Sequence, residues 1–311
     1  MNQNYPTSLL NKLYSIADNI SNKSYWRICT LIIRTISNIF LMGFFRLTNT
    51  PSIDIIGNKN YVAVSLTTFP ARIEKVWMVI ESLLRQSMKP DRILLFLSKE
   101  DFPLGVKSLP SSLLRLQSYG LEILFVDGNL RSHKKYYYSF QDIDNDYVIT
   151  VDDDIIYPYN MIESLWRAHL KYPHMVIARY GKSITFSCGA INPYSRWERV
   201  EKNPSAGISF GSGGGTLFPV RLINEDILKS DIFMRICPYA DDLWLLTYVR
   251  ISGLLIYLLD SKSCSILNLQ IKHDSRLSTL NCGEDRNDKQ MEDILTYIKD
   301  KYGLTASIFK D

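Results

Sequence analysis

Short apolar runs recur along this chain, separated by stretches whose apolar positions fall three and four residues apart. The runs at 61–66, 92–97, 121–126 and 146–151 predict buried strands. Between them, residues 73–86 place Val76, Ile80, Leu83 and Leu84 on one helical face, and Pro90 follows as a stop. Shorter helices are predicted at 109–119 and 134–140. Strand alternating with helix predicts an α/β domain with a mostly parallel sheet, whose polar groups collect at the carboxyl ends of the strands. Beyond the fourth strand the pattern predicts a helix at 159–170 and a strand at 175–180. A helical run follows from Asp241, then a strand ending near Leu269 and a surface helix at 286–302. His169 and His174 read as ordinary helix-end residues.

Two stretches break the pattern. Residues 181–210 have weak periodicity and many aromatics, glycines and prolines, the profile of a loop-rich excursion facing a substrate. It ends at Gly211-Ser212-Gly213-Gly214-Gly215, a glycine content that marks a tight turn or a close approach of backbone to a ligand. No Gly-Lys-Ser/Thr follows, so it is not a phosphate-binding P-loop. The second stretch is the N-terminus. Residues 1–50 hold Lys12, Lys23, Arg27, Arg34 and Arg46 against one acid, Asp18, and residues 35–45 are uncharged between two arginines. That run is too short to span a bilayer. It predicts either a helix lying in a membrane interface, with its arginines snorkelling, or one packed on the domain. The domain plan is therefore a basic, apolar helical segment at 1–57, a catalytic-type α/β domain at 58–285 and a closing helix at 286–311.

Composition narrows the class. At 311 residues, with 46% hydrophobic and 22% charged residues, the chain is globular and can hold a sizeable core. A formal charge of +4 does not point to nucleic acid. Five scattered cysteines without metal-ligand spacing suit reduced thiols, and no secretory leader is evident at the start. A cytoplasmic protein is expected, with peripheral contact on the inner face of the cytoplasmic membrane left open.

Candidate chemistry sits at two acidic clusters. Asp152-Asp153-Asp154 end the fourth predicted strand, where Asp152 and Asp154 can converge while Asp153 points elsewhere. Convergent carboxylates suit a hard cation such as Mn²⁺ or Mg²⁺; the alternative is a solvated acidic turn. Asp241-Asp242 open a helical run, where acids also serve as caps. Lys134 and Lys135 read either as a solvated pair or as a source of positive field. His273 gains interest only from the carboxylates upstream.

In their order and spacing, these elements resemble glycosyltransferases of the GT-A fold, in particular the family 2 enzymes that build bacterial surface polysaccharides. The resemblance covers roughly residues 61–273. It rests on the stretch from Ser65 to Arg72, His133-Lys134-Lys135-Tyr136, the triple aspartate, the glycine turn and Ala240-Asp241-Asp242-Leu243-Trp244. It implies an enzyme moving a sugar from a nucleotide-diphosphate donor, UDP-sugar favoured, to a saccharide or lipid-linked acceptor, with inversion favoured. By the same resemblance Thr67, Pro70 and Arg72 hold the nucleoside, and Asp127 is the candidate for reading the base. Asp152 and Asp154 carry the cation with Asp153 alongside, and His273 completes the metal shell. Lys134 and Lys135 face the phosphates, and Gly213 and Gly214 admit the donor sugar or acceptor. Asp242 is the favoured catalytic base and Asp241 its orienter, with the swap left open; the family pattern often has Glu-Asp where this chain has Asp-Asp. Trp244 is assigned to core packing ahead of sugar stacking. Three rivals remain: a sugar-phosphate nucleotidyltransferase, a non-catalytic nucleotide-sugar-binding protein and a retaining transferase. The first is disfavoured because the loop after the first strand contains no glycine.

Overall fold

The computed structural model describes residues 24–53, 62–259, 267–269 and 286–311. His273 lies outside the described residues. Seven strands build one sheet. β1 (Val62–Thr67), β2 (Arg92–Ser98) and β3 (Leu121–Val126) run parallel, and β4 (Tyr147–Val151) pairs parallel with β1 on its other side. A two-residue strand, β5 (Ile155–Ile156), follows the acidic triplet. β6 (Met175–Ala178) continues the main sheet. The excursion contributes β7 (Gly181–Ser183), β8 (Phe186–Ser187), β9 (Ala190–Ile191) and β10 (Ile208–Phe210). β11 (Gly214–Pro219) then inserts antiparallel between β4 and β6, and β12 (Leu255–Leu258) closes the edge parallel to β6. The order is β12-β6-β11-β4-β1-β2-β3, a mixed and mostly parallel sheet. β13 (Leu267–Asn268) pairs antiparallel with β5.

Both faces of this sheet are covered, which explains the continuous apolar runs. Val64, Leu66, Leu95, Ile149 and Val151 point into one core with the helices Ile73–Leu84 and Met161–Lys171. Val148, Val176, Phe218 and Ile256 point into the other, beneath the helices Lys134–Gln141, Asp241–Ile251 and Arg286–Tyr302. Neighbouring residues 148 and 149 serve opposite cores, as strand geometry requires. Trp244 is fully buried in the second core and donates its indole N–H to the Ile227 carbonyl at 2.8 Å, so it packs and does not stack on a ligand. Residues 109–119 form a four-residue α-helix, Ser111–Leu114, that tightens into a 3₁₀ segment, Arg115–Tyr119. Gly120, at φ +110°, ends it.

The N-terminal helix, Ser24–Leu47, presents Ser37, Leu41 and Phe45 to the domain. Phe44 and Phe45 flank the Arg85 guanidinium at 5.4 and 5.3 Å. Ile32, Ile36, Ile39, Phe40 and Leu47 face outward and are exposed. One face of this helix therefore packs on the domain and the other is exposed. No helix among the described residues is long and apolar enough to cross a membrane.

Candidate functional site

The acidic triplet lies just past the carboxyl end of β4, in the middle of the sheet, where parallel strands deliver ligand-binding groups. Because β11 runs antiparallel to β4, its glycine-rich start meets β4's end, with Gly214 opposite Val151. The Asp152 amide donates to the Gly213 carbonyl at 3.1 Å and to the Tyr157 hydroxyl at 2.8 Å, and that hydroxyl in turn donates to the Gly213 carbonyl. This approach explains the glycines. A Cβ on Gly213 would lie 1.8 Å from an Asp152 carboxylate oxygen, and one on Gly214 would lie 1.9 Å from the Tyr180 ring. Only a bare backbone fits beneath these two side chains.

The three aspartates divide between two cations: Asp153 and Asp154 share Arg72, while Asp152 turns to Lys135. Asp152 pairs with Lys135 Nζ at 2.8 Å. Asp153 is buried and accepts from the Thr68 hydroxyl and from Arg72, each at 2.5 Å. The same Arg72 nitrogen lies 3.1 Å from Asp154. Burial drives the Asp153 carboxyl above its ordinary range, against the pull of Arg72. Asp153 thus ties the loop after β1 to the end of β4, while Asp152 and Asp154 remain partly open, with side chains 41% and 26% exposed.

The second acidic pair arrives from the other side, on the first turn of the helix Asp241–Ile251. Lys135, with a side chain only 4% exposed, reaches Asp241 at 3.0 Å and so bridges both clusters. Burial opposes its charge, but Asp152, Asp241 and Asp242 outweigh that and raise its pKa well above the ordinary lysine value. Ser212 fastens the pair to the glycine turn. Its amide donates to Asp242 and its hydroxyl to Asp241, both at 2.7 Å. Burial pushes the Asp241 carboxyl up, yet Lys135 and the Ser212 hydroxyl overcome it and hold the group to about 2. For Asp242 burial and the charge of Asp241 win, and its pKa is pushed up to about 7. Two adjacent carboxylates are thereby split into one firmly ionised and one poised near neutrality.

Lys134 and Lys135 part company. Lys134 is buried and donates to Asn129 at 2.9 Å, with Asp101 at 3.7 Å, so it braces the loops after β2 and β3. Of the two, Lys135 alone contacts the acidic clusters. His133 lies in the core, stacked on Phe233 at 4.3 Å, and burial lowers its pKa to about 4. Its Nε2 faces the Cys237 carbonyl at 2.8 Å and must donate there, leaving Nδ1 to accept from Tyr136. Thr67 donates to the Phe96 carbonyl at 2.8 Å, Pro70 is exposed, and the exposed Asp127 pairs with Lys99 at 2.9 Å on the far edge strand. The sequence reading missed Ser212, Thr68, Tyr157 and Tyr180. Ser212 was findable as the lone side chain with a hydroxyl inside the glycine turn; the others have no local signature.

Among the described residues no cluster of three or more His, Cys, Asp or Glu is gathered as a ready metal cage. Carboxylate oxygens are the donor type that Mg²⁺ or Mn²⁺ takes, one or two of them completed by substrate phosphate and water. Asp152 and Asp154, the partly open members of the triplet, could supply such oxygens, each now paired with a different cation.

No protein-family profile matches this chain, and no curated protein matches it. Among solved structures it is similar to a mannosyltransferase from Pyrobaculum calidifontis in complex with GDP-Man and Mn²⁺ (TM-score 0.45, 10% identity, covering 99% of this chain and 79% of that one). It is also similar to a CMP:2-keto-3-deoxy-manno-octonic acid synthetase complexed with CTP, at TM-score 0.38 and 10% identity over 65% of this chain and 89% of that one. A third likeness is to S. aureus TarS residues 1–349 with UDP, at TM-score 0.38 and 10% identity over 65% and 58% of the respective chains. At this level no residue role is transferred. The topology itself, a mixed, mostly parallel sheet with helices on both faces, is consistent with the GT-A type of nucleotide-sugar fold.

Proposed function

We propose that this chain is a metal-dependent glycosyltransferase that moves a sugar from a nucleotide-diphosphate donor to a saccharide or lipid-linked acceptor hydroxyl, with inversion. The observation behind this reading is the Lys135 bridge. One buried cation holds a strand-end carboxylate suited to a metal–diphosphate and a helix-start carboxylate pair suited to acid–base work in one site. Arg72 and Thr67 would face the nucleoside side, with UDP favoured and Asp127 as the base-reading candidate. Gly213 and Gly214 would let the donor sugar approach the backbone. A bound divalent cation would offset the negative charge that develops on the departing diphosphate.

The acceptor oxygen attacks the anomeric carbon from the face opposite the leaving phosphate. The new C–O bond forms as the sugar–phosphate bond breaks, the diphosphate leaves with that electron pair, and the acceptor's proton goes to Asp242. A carboxylate raised toward neutrality is a better base at pH 7 than one at its ordinary value of about 4. Asp241, ionised by Lys135 and Ser212, sustains that raised value and positions its neighbour.

The test is incubation of purified protein with UDP-, GDP- and other nucleotide sugars and Mn²⁺, reading nucleoside diphosphate release with and without chelator. Metal-dependent release from one donor supports the reading. Release of pyrophosphate from a nucleoside triphosphate and a sugar phosphate would instead make the enzyme a nucleotidyltransferase. The exposed face of the N-terminal helix, flanked in sequence by arginines, supports peripheral attachment to an anionic membrane. Co-sedimentation with anionic liposomes that Ile36→Asp/Phe40→Asp does not reduce would refute that attachment.

A further inference from the structure

The glycine turn seats a third side chain between the two acidic clusters. Tyr180 follows the carboxyl end of β6, which flanks β11 on the side away from β4. Its phenol lies along the turn. An added Cβ on Gly214 would stand 1.9 Å from the ring, and one on Gly211 would stand 2.5 Å from the hydroxyl. The Gly211 amide also donates to the Tyr180 carbonyl at 3.4 Å. Between these two glycines, Ser212 holds Asp242 through its amide and Gly213 seats Asp152. One turn, Gly211 to Gly214, therefore sets Asp152, Tyr180 and Asp242 beside one another. After burial, the charges of Asp152 and then Asp242 are the strongest influences on the phenol, and all three raise its pKa.

Neighbouring hydroxyls are engaged inside the protein: Ser212 on Asp241, Thr68 on Asp153 and Tyr157 on the Gly213 carbonyl. Among the described residues none hydrogen-bonds the Tyr180 hydroxyl, which keeps accessible surface on a half-buried residue. Its carboxylate neighbours are already served, Asp152 by Lys135 and Asp242 by the Ser212 amide. A phenol is protonated at pH 7, so this one offers a hydrogen bond to an acceptor oxygen from outside the chain. A phenylalanine would fill the same seat on the glycines, so packing explains the ring and leaves the hydroxyl unexplained. The position selects the ligand. In the displacement described above, Asp242 marks the attacking hydroxyl and Asp152 the departing diphosphate, and the sugar being transferred lies between them. Its hydroxyl oxygens are acceptors, and its C–H surface suits an aromatic edge.

We propose that Tyr180 is the residue that reads the transferred sugar, its hydroxyl donating to one sugar oxygen between the diphosphate and the base. The proposal rests on the transferase reading, but its test uses binding and does not require turnover. Calorimetry on the full chain with Mn²⁺ would compare UDP and GDP with UDP-glucose, UDP-galactose, UDP-N-acetylglucosamine and GDP-mannose, in the parent and in Tyr180→Phe. At least one nucleotide sugar should bind the parent. Tyr180→Phe should weaken that binding by about threefold to tenfold, the worth of one hydrogen bond, and leave the affinity for the bare nucleotide unchanged. Deoxy analogues of the bound donor, lacking one sugar hydroxyl at a time, locate the contact. One analogue should lose the same factor on the parent and nothing further on Tyr180→Phe. Equal donor binding by parent and variant, or no analogue whose loss is shared with the variant, would overturn this proposal and leave the transferase reading standing. An equal loss for bare nucleotide and nucleotide sugar, or a lowered thermal midpoint with nucleotide binding gone, would give Tyr180 a nucleotide-binding or structural role instead. A parent that binds neither nucleotides nor nucleotide sugars would remove the transferase reading and this proposal together.

Discussion

The two acidic clusters of this site contain the same side chain, and the fold treats them in opposite ways. The triplet at the end of β4 is spread over two cations: Arg72 takes Asp153 and Asp154, and Lys135 takes Asp152. Two cations serve three carboxylates there, and the buried middle member also receives the Thr68 hydroxyl. The pair at the helix start has one direct cation contact, Lys135 on Asp241, and shares that cation with the triplet. Asp242 has the Ser212 amide and an ionised neighbour, and burial first and then the charge of Asp241 raise its proton affinity. A carboxylate cluster becomes a holder of charge or a proton acceptor according to how many cations the fold allots to it.

The largest effect is expected from removing the shared cation. Lys135→Met leaves Asp241 buried and unpaired beside Asp152. Breaking a buried pair from one side costs about 3–5 kcal/mol, and urea unfolding at pH 7 should show a loss of that order. The sign with pH follows from Asp241. Its folded pKa is depressed, so the stability it contributes is present above the unfolded value and lost as pH falls toward about 2. In the Met variant that loss on acidification should largely vanish. A change under 1 kcal/mol would mean that the two clusters do not depend on one cation.

Next comes Asp242→Asn. Asparagine keeps the helix start, so the fold should survive while turnover falls by ~10²–10⁴-fold. The parent's rate should rise with pH up to about 7 and drop about tenfold per unit below it, because the base must be ionised. The stability sign is the reverse of that for Asp241. A raised folded pKa favours folding most below the unfolded value, and that advantage is lost as pH rises through about 7. At pH 8 the Asn variant should therefore equal or exceed the parent in urea. Parent-like turnover in Asp242→Asn under saturating donor and acceptor would assign the base elsewhere, and a large loss at Asp241→Asn would move it by one residue.

The smallest effect probes the better-neutralised cluster. Arg72→Lys keeps the charge but loses the guanidinium that serves two carboxylates from one nitrogen. Because Thr68 still donates to Asp153, stability should fall by about 1 kcal/mol or less. Calorimetry should find nucleoside diphosphate binding weakened by less than tenfold. A loss as large as that of Lys135→Met would erase the contrast between the clusters.

Much of this architecture was legible in the chain. Strands at about 61–66, 92–97, 121–126 and 146–151 were marked by apolar runs that suit a sheet covered on both faces, and the closing helix was expected at roughly 286–302. Local composition also marked Gly211–Gly215 as a place where backbone must come close to something, since repeated glycine has few other uses. What the close approach was to, Asp152 and Tyr180, is a contact across some sixty and thirty positions that no periodicity encodes. Likewise the residues between Gly181 and Phe210 showed no strand pattern, because pieces of two or three residues are too short to establish a period. Residue types and spacing determined which groups could bear charge and where along the chain they would surface. Only the tertiary structure decided that β11 would insert antiparallel beside β4 and bring Ser212 under Asp241 and Asp242. It also sent Lys134 to Asn129 and Asp101, and Lys135 between the two clusters. Adjacent residues on a helix point about 100° apart, so one lysine of the pair could reach the carboxylates, and packing selected which.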